Sequence, residues 1–162
     1  MHKNAHTHII CFGNPLHGDD GFGTAVFKAL SQQDLGTDVK LMDGGTSSLS
    51  ALNLFEGCEQ AIVVDALKDD TGTVGLSWHS AEHFKAQTHA GEISSHGLGV
   101  GAILQGLDIL AEDQKVVEDI KVLTCTVASP KTFKMELSAE VGAKVDEAVG
   151  LILDHVSQGG SL

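Results

Sequence analysis

Positive charge is scarce in this chain: ten basic residues stand against 22 acidic ones, for a formal charge of -12. A surface of that sign repels nucleic-acid phosphates and anionic lipid headgroups, so neither nucleic acid nor membrane is an expected partner. Long apolar runs are missing as well. No stretch approaches the roughly 18 residues that a membrane helix needs, and the polar residues 1–8 lack the apolar core of a signal peptide. The expected location is therefore cytoplasmic. Cysteine is sparse too. Cys11, Cys58 and Cys125 are an odd, widely spaced set without a C-x-x-C pair, which argues against a disulfide framework and against a thiolate zinc site. They read as small buried hydrophobes.

What the chain does have is enough apolar residue, 42% of 162 positions, to bury one core. At this length residues 1–162 are expected to form a single domain. Thr7–Phe12 is a short β-prone apolar run that stops at Gly13, Asn14, Pro15 and Gly18, the pattern of a buried strand entering a loop. From Gly21 onward Phe22, Ala25, Val26, Ala29 and Leu30 recur at helical spacing, with Asp19 and Asp20 suited to the positive end of that helix. A second such unit has a strand over 39–42, the loop Asp43-Gly44-Gly45-Thr46, and a helix carrying Leu49, Leu52 and Leu54. A third strand, 61–64, ends on Asp65.

Residues 73–78 alternate like a strand and follow a polar turn, which fits a hairpin return rather than a parallel crossover. Ser94 and Ser95 can cap a helix through Val100, Ile103, Leu104 and Leu107. A last strand over 119–126 and a closing helix over 134–155 complete the pattern. Strands alternating with helices predict an α/β three-layer sandwich: a twisted, largely parallel, five-stranded sheet with helices on both faces. The direction of the 73–78 strand decides whether that sheet is mixed.

In open α/β sheets ligands gather beyond the carboxyl ends of the strands, so polar residues at strand exits are examined first. Asp20 follows the first strand, Asp65 the third, and His96 opens the glycine-rich helix. Two carboxylates and an imidazole would make a small site for nickel, zinc, manganese or iron, with positions open for water or substrate. Each residue also has an ordinary structural reading, Asp20 as a helix cap, Asp65 as a turn former, and His96 as a solvated histidine. Other chemistries fit less well. Gly13–Gly23 lacks a phosphate-loop pattern, and neither G-x-S-x-G nor H-E-x-x-H occurs. Most remaining histidines, His2, His6, His8, His79, His83 and His89, read as solvated. His17, three residues before Asp20, is the exception.

Four motifs in order, Gly13-Asn14-Pro15-Leu16-His17-Gly18-Asp19-Asp20-Gly21-Phe22-Gly23, Asp43-Gly44-Gly45-Thr46, Val64-Asp65-Ala66 and Ser95-His96-Gly97-Leu98-Gly99, make the chain resemble the [NiFe]-hydrogenase maturation endopeptidases. The resemblance implies a protease that removes a C-terminal extension from a [NiFe]-hydrogenase large-subunit precursor after nickel insertion. It implies that Asp20, Asp65 and His96 engage the metal, with Asp20 and Asp65 also candidates for the catalytic carboxylate. Some family members carry glutamate at the Asp20 position, and Asp19 is then a cap or supporting neighbour. Asp43, Gly44, Gly45 and Thr46 match the stretch implied to select the substrate. The nickel is implied to arrive with the precursor, leaving the isolated enzyme without a tightly bound cofactor. The alternatives are a nickel-handling chaperone without peptidase activity, a metallopeptidase that keeps its own hydrolytic metal, and a purely structural pair of aspartates.

Overall fold

Alternation decides which way each strand residue faces, because successive side chains leave a strand on opposite sides. The computed structural model describes residues 6–46, 49–69, 73–87, 99–128 and 133–158. Its strands are β1 (Thr7–Phe12), β2 (Val39–Gly45), β3 (Gln60–Lys68), β4 (Leu76–Ser80) and β5 (Asp119–Val127), and its α-helices are α1 (Phe22–Leu30), α2 (Ala81–Gln87), α3 (Gly99–Leu110) and α4 (Ala139–Ser157). Short 3-10 segments cover Gly18–Gly21 and Leu49–Phe55.

The five strands form one sheet in the order β2-β1-β3-β5-β4. β2, β1, β3 and β5 are parallel, while β4 runs antiparallel to β5. The α/β sandwich and the mixed, mostly parallel sheet agree with expectation. On one face Ile9, Cys11, Ile62, Val64, Leu123 and Cys125 pack against Phe22, Val26 and Leu30 of α1 and Val141, Ala148 and Ile152 of α4. On the other, Ile10, Phe12, Ala61, Val63 and Val122 meet Phe55, Phe84 of α2, and Val100, Ile103 and Leu104 of α3. Fully burying an aliphatic or aromatic side chain of this size contributes about 1.5–3 kcal/mol, so these two layers supply the main drive to fold.

Four expectations need correction. The 73–78 strand begins later, at Leu76, and is not the partner of β3 in a hairpin, since β5 lies between them. The third strand does not end on Asp65. It continues to Lys68 because β5 keeps pairing alongside it, from Asp65↔Thr124 to Lys68↔Val127. Likewise Asp43, Gly44 and Gly45 belong to the end of β2, with only Thr46 beyond it in the turn. The closing helix starts at Ala139, since Ser138 caps it by accepting the Val141 N–H through its hydroxyl. Lys134, before it, pairs instead with the loop after β1. Helix α2 had no counterpart in the sequence reading. Ser94 and Ser95 lie outside the described residues.

Candidate active site

The chain leaves β1 toward β2 on one side and returns to β3 on the other, which makes the gap between the carboxyl ends of β1 and β3 a topological switch point. Pairing between these two strands stops at Cys11↔Val64, one residue before Asp65. From there β3 is hydrogen-bonded only toward β5, and its side facing β1 opens into the crevice where Asp65 stands. By alternation Asp65 shares the α3-facing side of the sheet with Ala61 and Val63.

The loop after β1 delivers Asp20 to the same gap through a tightly bonded turn. Asn14 Oδ1 accepts the Leu16 N–H at 3.0 Å, the His17 N–H donates to the Asn14 carbonyl at 3.1 Å, and the Asp20 N–H donates to the His17 carbonyl at 3.2 Å. The Asn14 N–H then closes the loop on the Asp20 carbonyl at 3.0 Å. Glycine is needed here for contact as well as for turning. A Cβ on Gly23 would lie 1.8 Å from the Phe12 carbonyl oxygen, and one on Gly13 would lie 2.9 Å from that of Asp20. Gly18 adopts a left-handed φ of 57°, which glycine alone takes without cost.

Asp20 is 8% exposed, and Asp65 is half-buried. Burial pushes the Asp65 carboxyl well above the ordinary carboxylate range, and the charge of Asp20 pushes it further, while the Ala66 N–H, bonded to Asp65 Oδ1 at 2.9 Å, pulls the other way. Two carboxylates set against each other out of water form a site that favours either a shared proton or a cation. The position that caps α1 falls on Gly21, not on Asp20, so the helix-cap reading of Asp20 fails for that helix.

Asp43–Thr46 stands at the same end of the sheet. Asp43 Oδ1 accepts the Gly45 N–H at 2.9 Å, and the Gly45 carbonyl accepts the Gly13 N–H at 2.9 Å, so the end of β2 is tied to the loop that carries Asp20. Gly44 lies over the Phe12 ring, where an added Cβ would come within 2.5 Å of a ring carbon. His96 lies outside the described residues, and among the described residues no three histidine, cysteine or acidic side chains gather as a metal cluster. The structure thus brings together two of the three residues expected to engage metal.

Burial removes the thiols from consideration. It raises Cys11 strongly, with Asp43 adding to the shift, and pushes Cys58 and Cys125 up to about 11. All three cysteines are free, with Cys11 and Cys125 buried as expected. His6 and His83 are exposed as expected, whereas His8 and His79 bond to other elements. His8 is buried, with Nδ1 2.8 Å from the Leu54 carbonyl, and His79 sits with Nε2 2.9 Å from the hydroxyl of buried Thr124, the residue in register with Asp65. No local pattern marks Thr124 as a neighbour of the site, because register across strands is a non-local property.

Residues 24–155 match the family model of the hydrogenase maturation proteases, HycI. The chain belongs to this family. A Methanocaldococcus jannaschii protein assigned by name to the hydrogenase maturation proteases is 29% identical over 160 residues, covering 93% of this chain and 96% of its own. The hydrogenase 2 maturation protease of Escherichia coli is 23% identical over 155 residues, covering 94% and 91%. The solved structure of the hydrogenase maturating endopeptidase HybD from E. coli superposes with a TM-score of 0.80 at 22% identity, covering 95% of this chain and 93% of that one; at that identity the likeness speaks for the fold. The chain is a protease of the hydrogenase maturation family, and among its described residues no helix is long and apolar enough to cross a membrane.

Proposed function

We propose that this protease removes the C-terminal extension of a [NiFe]-hydrogenase large-subunit precursor after nickel insertion, and that Asp20, Asp65 and His96 recognise the nickel that the precursor carries. The observation that carries the reading is the Asp20–Asp65 pair at the switch point, Asp20 buried, Asp65 half-buried and its carboxyl opposed by the Asp20 charge, in a chain of this family. A pair whose second ionisation is opposed by the first is relieved by a divalent cation. Nickel is thus part of the substrate, and the isolated enzyme needs no resident metal of its own.

Cleavage is a hydrolysis: a water oxygen bonds to the scissile carbonyl carbon, the C–N bond breaks, one water proton passes to the leaving amine, and the other leaves on the new carboxylic acid. Asp65 is suited to take a proton from that water, because its raised pKa brings it toward the range of an effective general base. Carbonyl polarisation by the precursor's nickel is the alternative source of activation. Asp43, Gly44, Gly45 and Thr46, at the same sheet edge, would lie along the bound peptide, where glycine lets two backbones approach.

The test is to incubate nickel-loaded precursor with folded Asp20→Asn and Asp65→Asn proteins. Each should leave the precursor at full length. Processing by both at the wild-type rate would remove the carboxylate pair from the mechanism.

A further inference from the structure

Large apolar side chains that the core does not take are few among the described residues: Leu16, Leu49, Ile109, Phe133 and Met135. Three of them gather at one place. A parallel bridge pairs His17 with Lys134, and the Gly18 N–H donates to the Lys134 carbonyl at 2.6 Å. Leu16 and Phe133 precede that bridge on its two segments, and Met135 follows it, with exposures of 48%, 85% and 74% for Leu16, Phe133 and Met135.

This rim is built into the site. Gly18 belongs to the 3-10 turn that holds Asp20, and the next residue, Asp19, accepts the Ser138 N–H through Oδ1 at 2.6 Å. The 133–138 segment is therefore fastened to the catalytic turn at two points. Phe133 also holds a left-handed φ of 61°, which is costly for a bulky side chain, and strain of this kind persists where the surroundings over-determine it. The result is a large aromatic held in water beside the turn that carries Asp20.

Lys134, at the centre of the rim, makes no ion pair among the described residues. It is one of only ten cations, all lysine, in a chain of charge -12. A contiguous exposed apolar patch marks an interaction surface, and a lone ammonium within it selects for a carboxylate.

We propose that Leu16, Phe133 and Met135, around Lys134, form the docking surface for the stretch of the precursor that flanks the scissile bond, and that this stretch carries apolar side chains together with an acidic group. The occupant follows from continuity: a peptide laid across Asp20 and Asp65 must pass over the edge of the turn, and on this side that edge is the rim. The proposal rests on the processing function argued above.

The test compares KM and kcat for nickel-loaded precursor between the wild type and the triple variant Leu16→Ser/Phe133→Gly/Met135→Ser. Removing a cluster of anchors should raise KM by about ten-fold or more with little change in kcat. Lys134→Glu should raise KM as well, most at low salt. Phe133→Gly alone guards against a folding artefact, since glycine accepts the left-handed φ, and its thermal midpoint should stay level or rise while KM increases. Unchanged KM in the triple variant, with the wild type active, would overturn the docking surface and leave the processing function standing. If the wild type leaves the precursor uncut, processing fails, and direct titration of fluorescent precursor decides the rim: weaker binding by the triple variant keeps it, and equal binding overturns it. A wild-type dimer that the triple variant dissociates would assign the rim to a second copy of the chain and overturn the proposal.

Discussion

Asp19 Oδ1 accepts the backbone N–H of Ser138 at 2.6 Å across 119 residues of chain. Its neighbour Asp20 faces Asp65 instead, and its charge raises the Asp65 carboxyl. Asp19→Ala should lower stability by about 1–2 kcal/mol, the scale of a lost charge-assisted bond at a helix start, with Asp19→Asn losing less. Urea denaturation of the two variants reads the difference, and equal stability of Asp19→Ala and wild type would contradict the anchoring role.

Asp65 should weaken the isolated protein while serving its function. Its folded pKa is raised, so over the window from the ordinary carboxylate pKa up to the raised one the folded state holds more protons than the unfolded state, and stability falls as pH rises. Below that window the contribution is fully present; above it, it is gone. Asp65→Asn should therefore be more stable than wild type at neutral pH, by about 1 kcal/mol, yet inactive, and its advantage should shrink as pH falls through the window. Thermal unfolding across pH checks this, and an advantage independent of pH would contradict it.

The glycines of the first motif should be far less replaceable than those of the last helix. Gly23→Ala drives a methyl into the Phe12 carbonyl and should cost about 3 kcal/mol or more. Gly142 and Gly150, inside α4, have open space around an added Cβ, and alanine there should add about 0.5–1 kcal/mol each. Denaturant midpoints for the three variants settle the comparison.

Thiol chemistry should be absent. With Cys11 and Cys125 buried and Cys58 and Cys125 raised to about 11, the reactive thiolate is scarce at neutral pH. Treating the folded protein with iodoacetamide before adding precursor should leave the processing rate unchanged. Loss of activity in step with alkylation would show that a cysteine takes part.

Much of this architecture is readable from local pattern. Ile9, Ile10, Cys11 and Phe12 form an uninterrupted apolar run because β1 is buried on both faces, and Phe22, Val26 and Leu30 repeat at the helical period. Asp20 and Asp65 stand out in the sequence as carboxylates at strand exits, and the fold brings their charges within reach of each other. The order of the strands was not legible in the same way. β4 follows β3 in the chain but pairs with β5, a choice made by contacts distant in sequence. The same holds for Asp19, whose partner is Ser138, and for His8 and His79, whose partners Leu54 and Thr124 lie on other elements. Histidine spacing alone could not show that these rings bond to other elements.

The most direct test of the central claim is the intact mass of a large-subunit precursor, nickel-loaded and nickel-free, before and after incubation with this protein. The account predicts a discrete C-terminal mass loss in the nickel-loaded sample alone. An unchanged mass in the nickel-loaded cognate precursor, or equal loss in both samples, would contradict it, the first pointing to nickel handling without cleavage and the second to a protease that does not read the metal.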